Sequence, residues 1–306
     1  MIGFQEIGPR FVAEVTGFDG TRASDRETRA ALYDALYRHR VLLFREQRLT
    51  PAQLETFGRL WGEPFLEPYD NLVLPQHPAI MQVGNVGKAL EPEEYRNGAA
   101  FWHTDRGYAA DPNAVTILYC IEAPASGGAT LIADLVQAYA ALDDAARREI
   151  DGLHAFHSYG GGDDREEWEH GVHPMSPEQA ALLPPPGRHP VARRHSVTGE
   201  TGLYAIAGSA VDMDPPPNGP WQALLRRLKL HAIEPRFVHR HAWHPGDIAL
   251  WDNTATLHCA EAIGAATDAS TRRLLYRIVA TGLPPEIGMS TVPHARNIPP
   301  CETSAP

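Results

Sequence analysis

The chain has 306 residues, 43% of them hydrophobic, which suffices for one large or two small globular domains. Its formal net charge of −11 is spread along the sequence without blocks, which argues for solubility and against a nucleic-acid-binding surface. An anionic substrate stays possible, because a buried arginine acts locally where the dielectric is low. Cys120, Cys259 and Cys301 have no paired spacing, which fits a reducing compartment. The chain opens without a basic-then-apolar leader and no run approaches a membrane span, so a cytoplasmic protein without membrane contact is expected.

In chain order, residues 11–20 read as a strand closed by Gly17-Phe18-Asp19-Gly20. Ser24 to Tyr37 reads as a helix: Ser24 can cap it, Glu27 stands three residues on, and Leu32, Leu36 and Tyr37 form an apolar stripe. Val41-Leu42-Leu43-Phe44 is a buried-strand run, and Thr50-Pro51 opens a helix ending near Gly58, with proline at its first position. Residues 1–60 are expected to support the core. Residues 62–100 are rich in Pro, Gly, Asn and Glu and predict a long loop with a strand at Ile80–Val83. Long loops in compact domains are commonly functional, so this one is read as a lid.

Strands are predicted at Ala114–Ile121 and Thr130–Asp134, followed by an alanine-rich helix from Leu135 to Ile150. Residues 158–188, with Gly160-Gly161-Gly162, a cluster of acids and Pro184-Pro185-Pro186, form a second irregular insertion. A helix from Pro220 to His231 precedes strands at Phe237–Trp243, Ile248–Trp251 and Arg272–Ala280, with Pro245-Gly246-Asp247 as a turn. Residues 287–306 are expected to be a tail. Many short strands punctuated by turns and flanked by helices predict an α+β fold: a double-stranded β-helix (jelly-roll) core, as a single domain over residues 1–306.

The chemistry concentrates at His103-Thr104-Asp105 and His258. Two imidazoles and one carboxylate are what a non-haem Fe(II) centre needs when three coordination positions stay open. His103 and Asp105 are two apart, so on a strand both side chains leave one face. Alone the triplet is weak, because a chain with 15 histidines is expected to contain roughly one by chance. Arg273 and Arg277 lie four apart on a predicted strand and therefore share a face, roughly 13 Å apart by strand rise. His239, His241 and His244 could suggest zinc, but they lie on one limb of a hairpin and lack Cys/His pairs at structural-zinc spacing.

The sequence resembles the taurine dioxygenase family of Fe(II)/2-oxoglutarate-dependent oxygenases. Four motifs carry the likeness, in the family's order: His103-Thr104-Asp105, Ser126-Gly127-Gly128-Ala129-Thr130-Leu131, Ala249-Leu250-Trp251-Asp252-Asn253 through His258, and Thr271-Arg272-Arg273-Leu274-Leu275-Tyr276-Arg277. It runs from about Phe11 to Leu283. The resemblance implies His103, Asp105 and His258 as catalytic metal ligands. It implies Arg273 and Thr130 on the far carboxylate of 2-oxoglutarate, a group that a bidentate guanidinium suits. Arg277 falls where the family closes on substrate or on the oxoglutarate C1 carboxylate. Asp252 or Asn253 is expected to orient a ligand or tie a turn. Related halogenases replace the carboxylate ligand with a small residue, so the presence of Asp105 implies hydroxylation.

The expected reaction is hydroxylation of a small anionic or polar molecule by O2, with release of succinate and CO2. Desaturation, cyclisation or C–heteroatom cleavage would use the same residues. Taurine-binding members carry a His and a Tyr after the early Phe-Gly and an Asn four before the first ligand; here Glu63, Leu66 and Ala99 stand nearest those positions, which argues against taurine. Arg106 and Tyr108, then Asn85, Phe101 and Tyr204, are candidate substrate contacts. The family leans toward homodimers or homotetramers. Three rivals stand beside this reading: a non-catalytic jelly-roll sensor of metal and oxoglutarate, an oxygenase whose substrate itself chelates iron, and a zinc hydrolase. Arg273 disfavours the second, and the lack of a general base beside the metal disfavours the third.

Overall fold

A computed structural model describes residues 2–282 apart from 9, 68–69, 113, 160–175 and 183–184. The expected tail and the middle of the second insertion lie outside the described residues. The first sixty residues give β1 (Gly3–Glu6), β2 (Val12–Thr16), α1 (Arg26–His39), β3 (Val41–Phe44) and α2 (Pro51–Arg59). Asp25, not Ser24, caps α1 by accepting from the Thr28 amide. Both residue types cap well, and the choice is fixed by which one precedes the first helical turn. Thr50 and Gln53 form a reciprocal capping box on α2.

Residues 62–100 are more regular than a lid loop. They give β4 (Val73–Leu74), β5 (His77–Gly84) and the short helix α3 (Glu93–Arg96). Next come β6 (Val115–Glu122), β7 (Thr130–Asp134), α4 (Leu135–Ala140) and α5 (Asp144–Ile150). The single helix expected over residues 135–150 is thus two, because Asp143 caps a fresh N-terminus by accepting from the Ala146 amide. The chain continues with β8 (His154–His157), α6 (Pro177–Ala180), β9 (Gly187–Pro190), β10 (Ala192–Arg194), β11 (Thr201–Leu203) and β12 (Ala210–Asp214). It ends with α7 (Trp221–Ala232), β13 (Val238–His241), β14 (Ile248–Asp252), β15 (Thr256–Ala260) and β16 (Leu274–Ala280).

The largest sheet has eight strands in the order β1-β2-β3-β14-β6-β16-β5-β4, and a three-stranded sheet runs β13-β7-β15. Strict alternation sorts the two faces of the large sheet. Val115, Ile117, Tyr119, Ile248, Leu250 and Ile278 point to a core shared with Leu32, Leu36, Leu54 and Phe57 of α1 and α2. On the other face Leu118, Cys120, Ala249, Trp251 and Leu275 pack with Ile132 of the three-stranded sheet. Thr116 of β6 and Arg277 of β16 share the parity of this second set, so they face the space between the sheets. A third core, behind the small sheet, joins α4 and α7 to Tyr204 and Met213. Among the described residues, no helix is long and apolar enough to cross a membrane.

Candidate metal centre

His103 and His258 face each other across one isolated antiparallel bridge. The His103 amide donates to the His258 carbonyl at 2.8 Å and the His258 amide returns a bond at 2.9 Å. Their rings lie 4.1 Å apart between centroids. The strand expected at residues 103–105 is therefore one bridge residue followed by a turn, in which Gly107 donates to the Thr104 carbonyl. Turn and bridge still bring three donors together. One ligand atom each from His103, Asp105 and His258 lies within 4.8 Å of the others, and among the described residues no other such group gathers three donors. His103 Nε2 is 3.9 Å from Asp105 Oδ1, and His258 Nε2 is 3.6 Å from Asp105 Oδ2.

Protonation states suit a cation. Nδ1 of His103 donates to the Phe101 carbonyl at 2.7 Å, which leaves Nε2 with its lone pair. His258 is oriented by packing, with the Trp251 ring 4.7 Å away, and its Nδ1 has no partner among the described residues. Burial lowers the basicity of both imidazoles, reinforced at His258 by His103, so both are neutral near neutral pH. Burial alone would push the Asp105 carboxyl up; Arg277, the two histidines and Thr116 outweigh it and hold the group well below the usual carboxylate range.

Asp105 is held from four directions. Thr116 Oγ1 donates to Oδ2 at 2.5 Å, and Arg277 Nη2 donates to Oδ1 at 2.7 Å. Asn253 Oδ1 accepts from the Asp105 amide at 3.3 Å while its Nδ2 donates to Thr116 Oγ1 at 2.8 Å. The fourth hold is the backbone turn itself. The β6–β14 register, which pairs Thr116 with Trp251, carries Thr116 alongside Asn253. Asn253 thus orients the ligand, whereas Asp252 ties the turn by accepting from Thr254 and meets His195 Nε2 at 2.7 Å. Thr116 was not foreseen, since a threonine on an apolar strand carries no local signal of its role. Glu67, which accepts from Arg277 Nη1 at 2.7 Å, was also missed.

Arg273 is 3% exposed, yet its guanidinium makes one hydrogen bond among the described residues, from Nε to the Gly128 carbonyl at 2.8 Å. Burial pulls its pKa from 12.5 down to about 10, with Cys120 and Glu261 offsetting this in part. Gly128 has φ +65°, and a Cβ there would stand 3.0 Å from Arg273 Cδ. The terminal nitrogens of a buried cation are left for an anionic partner. Thr130 is buried and accepts from Trp243 Nε1 at 3.1 Å, which leaves its own hydroxyl hydrogen able to donate.

Two candidate substrate contacts are corrected. Asn85 commits both amide hydrogens to the carbonyls of Gly264 and Thr271 and accepts from the Arg273 amide, so it braces the backbone before β16. Tyr204 belongs to the core behind the small sheet, under Arg193 at 4.9 Å. Phe101 bears on the site through its carbonyl and a ring 4.7 Å from His103. Tyr108 stands edge-on to Tyr159 at 5.3 Å, and Arg106 Cζ lies 3.6 Å above the Phe65 ring. His241 and His244 converge on Asp247 at 3.3 and 3.6 Å, and Arg45 already pairs with that carboxylate. They form a structural knot.

The family described as "Taurine catabolism dioxygenase TauD, TfdA family" matches residues 3–279. An alpha-ketoglutarate-dependent 2,4-dichlorophenoxyacetate dioxygenase from Burkholderia sp. (strain RASC) is 29% identical over 252 residues, covering 79% of this chain and 82% of that one. An alpha-ketoglutarate-dependent sulfate ester dioxygenase from Pseudomonas putida is 29% identical over 276 residues, covering 83% and 82%. The crystal structure of a taurine dioxygenase from Burkholderia xenovorans superposes with a TM-score of 0.72 at 30% identity, covering 92% of this chain and 89% of its own. With a family match over nearly its whole length and a site of two histidines and one carboxylate, the chain belongs to the TauD/TfdA family of dioxygenases.

Proposed function

We propose that the protein is an Fe(II)- and 2-oxoglutarate-dependent dioxygenase that hydroxylates a small organic substrate. The single observation that carries this reading is the triad of His103, Asp105 and His258 in one small volume, neutral imidazoles beside an ionised carboxylate. A set of two nitrogens and one oxygen suits a ferrous ion with open positions. The fit extends to the cosubstrate: a buried guanidinium at Arg273, whose terminal nitrogens have no partner among the described residues, and a hydroxyl hydrogen at Thr130 able to donate suit the far carboxylate of 2-oxoglutarate. We read the eight-stranded and three-stranded sheets as the two walls of a double-stranded β-helix, in one domain that works in the cytoplasm.

When bound, iron and 2-oxoglutarate supply the oxidising chemistry: O2 is reduced, oxoglutarate is decarboxylated to succinate, and a substrate C–H bond is hydroxylated. The protein's own residues do the rest. Phe101 fixes the His103 tautomer, and Thr116 with Asn253 fixes the plane of Asp105. Leu118, Trp251 and Leu275 wall the space between the sheets and exclude water from it. The test is succinate formation from 2-oxoglutarate with anaerobically loaded Fe(II) and O2. It should require the metal and vanish in His103→Ala; unchanged turnover in that variant refutes the assignment.

A further inference from the structure

The residue before Asn253 belongs to a buried polar group that the chemistry above leaves unused. β10 and β11 form a two-stranded sheet of their own, and His195 closes the turn between them. The His195 amide donates to the Glu200 carbonyl at 2.7 Å, and its own carbonyl accepts from the Gly199 amide at 3.0 Å. Its Nδ1 accepts from the amides of Val197 and Thr198, both at 3.1 Å. A ring nitrogen that accepts carries no hydrogen, so the hydrogen sits on Nε2. Nε2 donates to Asp252 Oδ2 at 2.7 Å, and Asp252 Oδ1 takes the amide and hydroxyl of Thr254. Both residues are buried, and a buried polar pair is costly unless its donors and acceptors are used. Here every ring nitrogen and carboxylate oxygen has a partner.

The pair bears on the turn that joins β14 to β15. Asp252 is held there through its backbone as well: its amide donates to the Arg40 carbonyl at 3.0 Å, and its carbonyl accepts from Thr256 Oγ1 at 2.7 Å. The Arg40 side chain reaches Asp134 at 3.1 Å and Glu200 at 2.8 Å, so it grips the His195 hairpin from a second side. Leu203 of β11 shares a core with Leu135 and Ala138 of α4, which seats the hairpin. Two routes lead from this turn to the metal ligands. Asn253, the next residue, accepts from the Asp105 amide and donates to Thr116, which in turn donates to Asp105. Thr256 stands two residues before His258, and its carbonyl accepts from the Thr104 hydroxyl at 3.2 Å.

We propose that His195 is a positioning residue of the metal centre: through Asp252 it fixes the β14–β15 turn, and with that turn the plane of Asp105. The inference rests on the metal-centre reading above and gives the β10–β11 hairpin, which belongs to neither main sheet, a task at the site. A turn has soft torsions of its own, whereas a side-chain link to a hairpin anchored elsewhere removes that freedom before the ion arrives. A pair that only stabilised the fold would leave the metal affinity of the folded protein untouched.

Two substitutions divide the roles of the ring. His195→Asn offers an oxygen where Nδ1 stands, for the Val197 and Thr198 amides, and is too short to reach Asp252. His195→Gln sets an amide nitrogen where Nε2 stands, keeping the donor to Asp252 and giving up the acceptor. The experiment is Mn(II) titration of the full chain, followed by the electron paramagnetic resonance of free and bound ion, on variants whose circular dichroism matches wild type. His195→Asn should weaken binding about tenfold and broaden the bound signal, while His195→Gln stays within about threefold of wild type. Asp252→Asn, which serves alone should His195→Asn fail to fold, should weaken binding by the same factor as His195→Asn. The double variant should weaken it no further, because the two side chains act as one unit. Binding by His195→Asn or Asp252→Asn within about twofold of wild type overturns the proposal, as does a loss in His195→Gln equal to theirs. Either result, with wild type binding Mn(II), sinks this inference alone. A wild type that binds no Mn(II) sinks the metal-centre reading and this inference with it.

Discussion

Replacing Thr116 by valine keeps the β-branched shape and removes one hydroxyl, which isolates its role in holding Asp105. That hydroxyl donates to Asp105 Oδ2 at 2.5 Å and accepts from Asn253 Nδ2 at 2.8 Å, in a site where Thr116 is 1% exposed. A hydrogen bond to a buried charged group contributes about 1.5–3 kcal/mol, and an orphaned buried amide hydrogen costs about 1–3 kcal/mol. The two losses share one site, so Thr116→Val should lower stability by about 2–4 kcal/mol. Metal affinity should fall about 10- to 100-fold, as when groups that orient metal ligands are removed. Urea unfolding measures the first quantity, and the electron paramagnetic resonance signal of free Mn(II) measures the second. Thr116→Ser should recover most of both. If Thr116→Val binds Mn(II) within twofold of wild type while its stability falls, the hydroxyl is structural only and the account of Asp105 fails.

Arg273→Met removes a buried cation that has one side-chain hydrogen bond among the described residues. Ligand-free stability should change by no more than about 1 kcal/mol, because the lost bond is offset by relief of a desolvated charge. Stabilisation by 2-oxoglutarate in thermal melts should disappear; persistence of that stabilisation would move the oxoglutarate site elsewhere. Acid should destabilise the metal-free protein well above the carboxylate range. Burial lowers His157 and His239 to about 4, so the unfolded chain binds protons that the folded one refuses, and stability is lost as pH falls from 6.5 toward 4. His157 alone accounts for about 3 kcal/mol at most over that window. Asp134, raised by burial, acts in the opposite direction. A urea midpoint unchanged between pH 7 and pH 4.5 would contradict this. Finally, Gly84 has φ +138° and a Cβ there would stand 1.9 Å from the Arg273 carbonyl, so Gly84→Ala should cost about 3 kcal/mol or more and lower the yield of folded protein.

What could be read from the sequence was what is encoded locally. The long apolar strands, the Thr50-Pro51 helix start and the two-residue spacing of His103 and Asp105 all lie within a few residues. The short polar strands β8 to β12 escaped, because His154–His157 or Ala192–Arg194 show neither an apolar run nor clean alternation. The groups that orient the ligands escaped for a different reason. Asn253 was expected to orient a ligand, but its partner Thr116 lies 137 residues away across a strand register, and Glu67 reaches Arg277 over a separation of 210. No window along the chain contains such pairs. In the expected lid, the strand read at Ile80–Val83 is the middle of β5 (His77–Gly84), whose ends Pro78 and Gln82 obscured by interrupting the apolar pattern, and the short edge strand β4 beside it went unread.

The segment bearing His103 lies beside β15 without joining its ladder, fastened by the paired bridge bonds, by Ala260 to Ala99, and by the Thr104 hydroxyl to Thr256. An ion gripped by both sides would serve as a rivet at this seam. Chelation should therefore loosen residues 99–105 as a local flap while the sheets stay intact. Amide exchange at His103 and His258 becomes a gauge of occupancy, able to tell a stripped protein from an unfolded one.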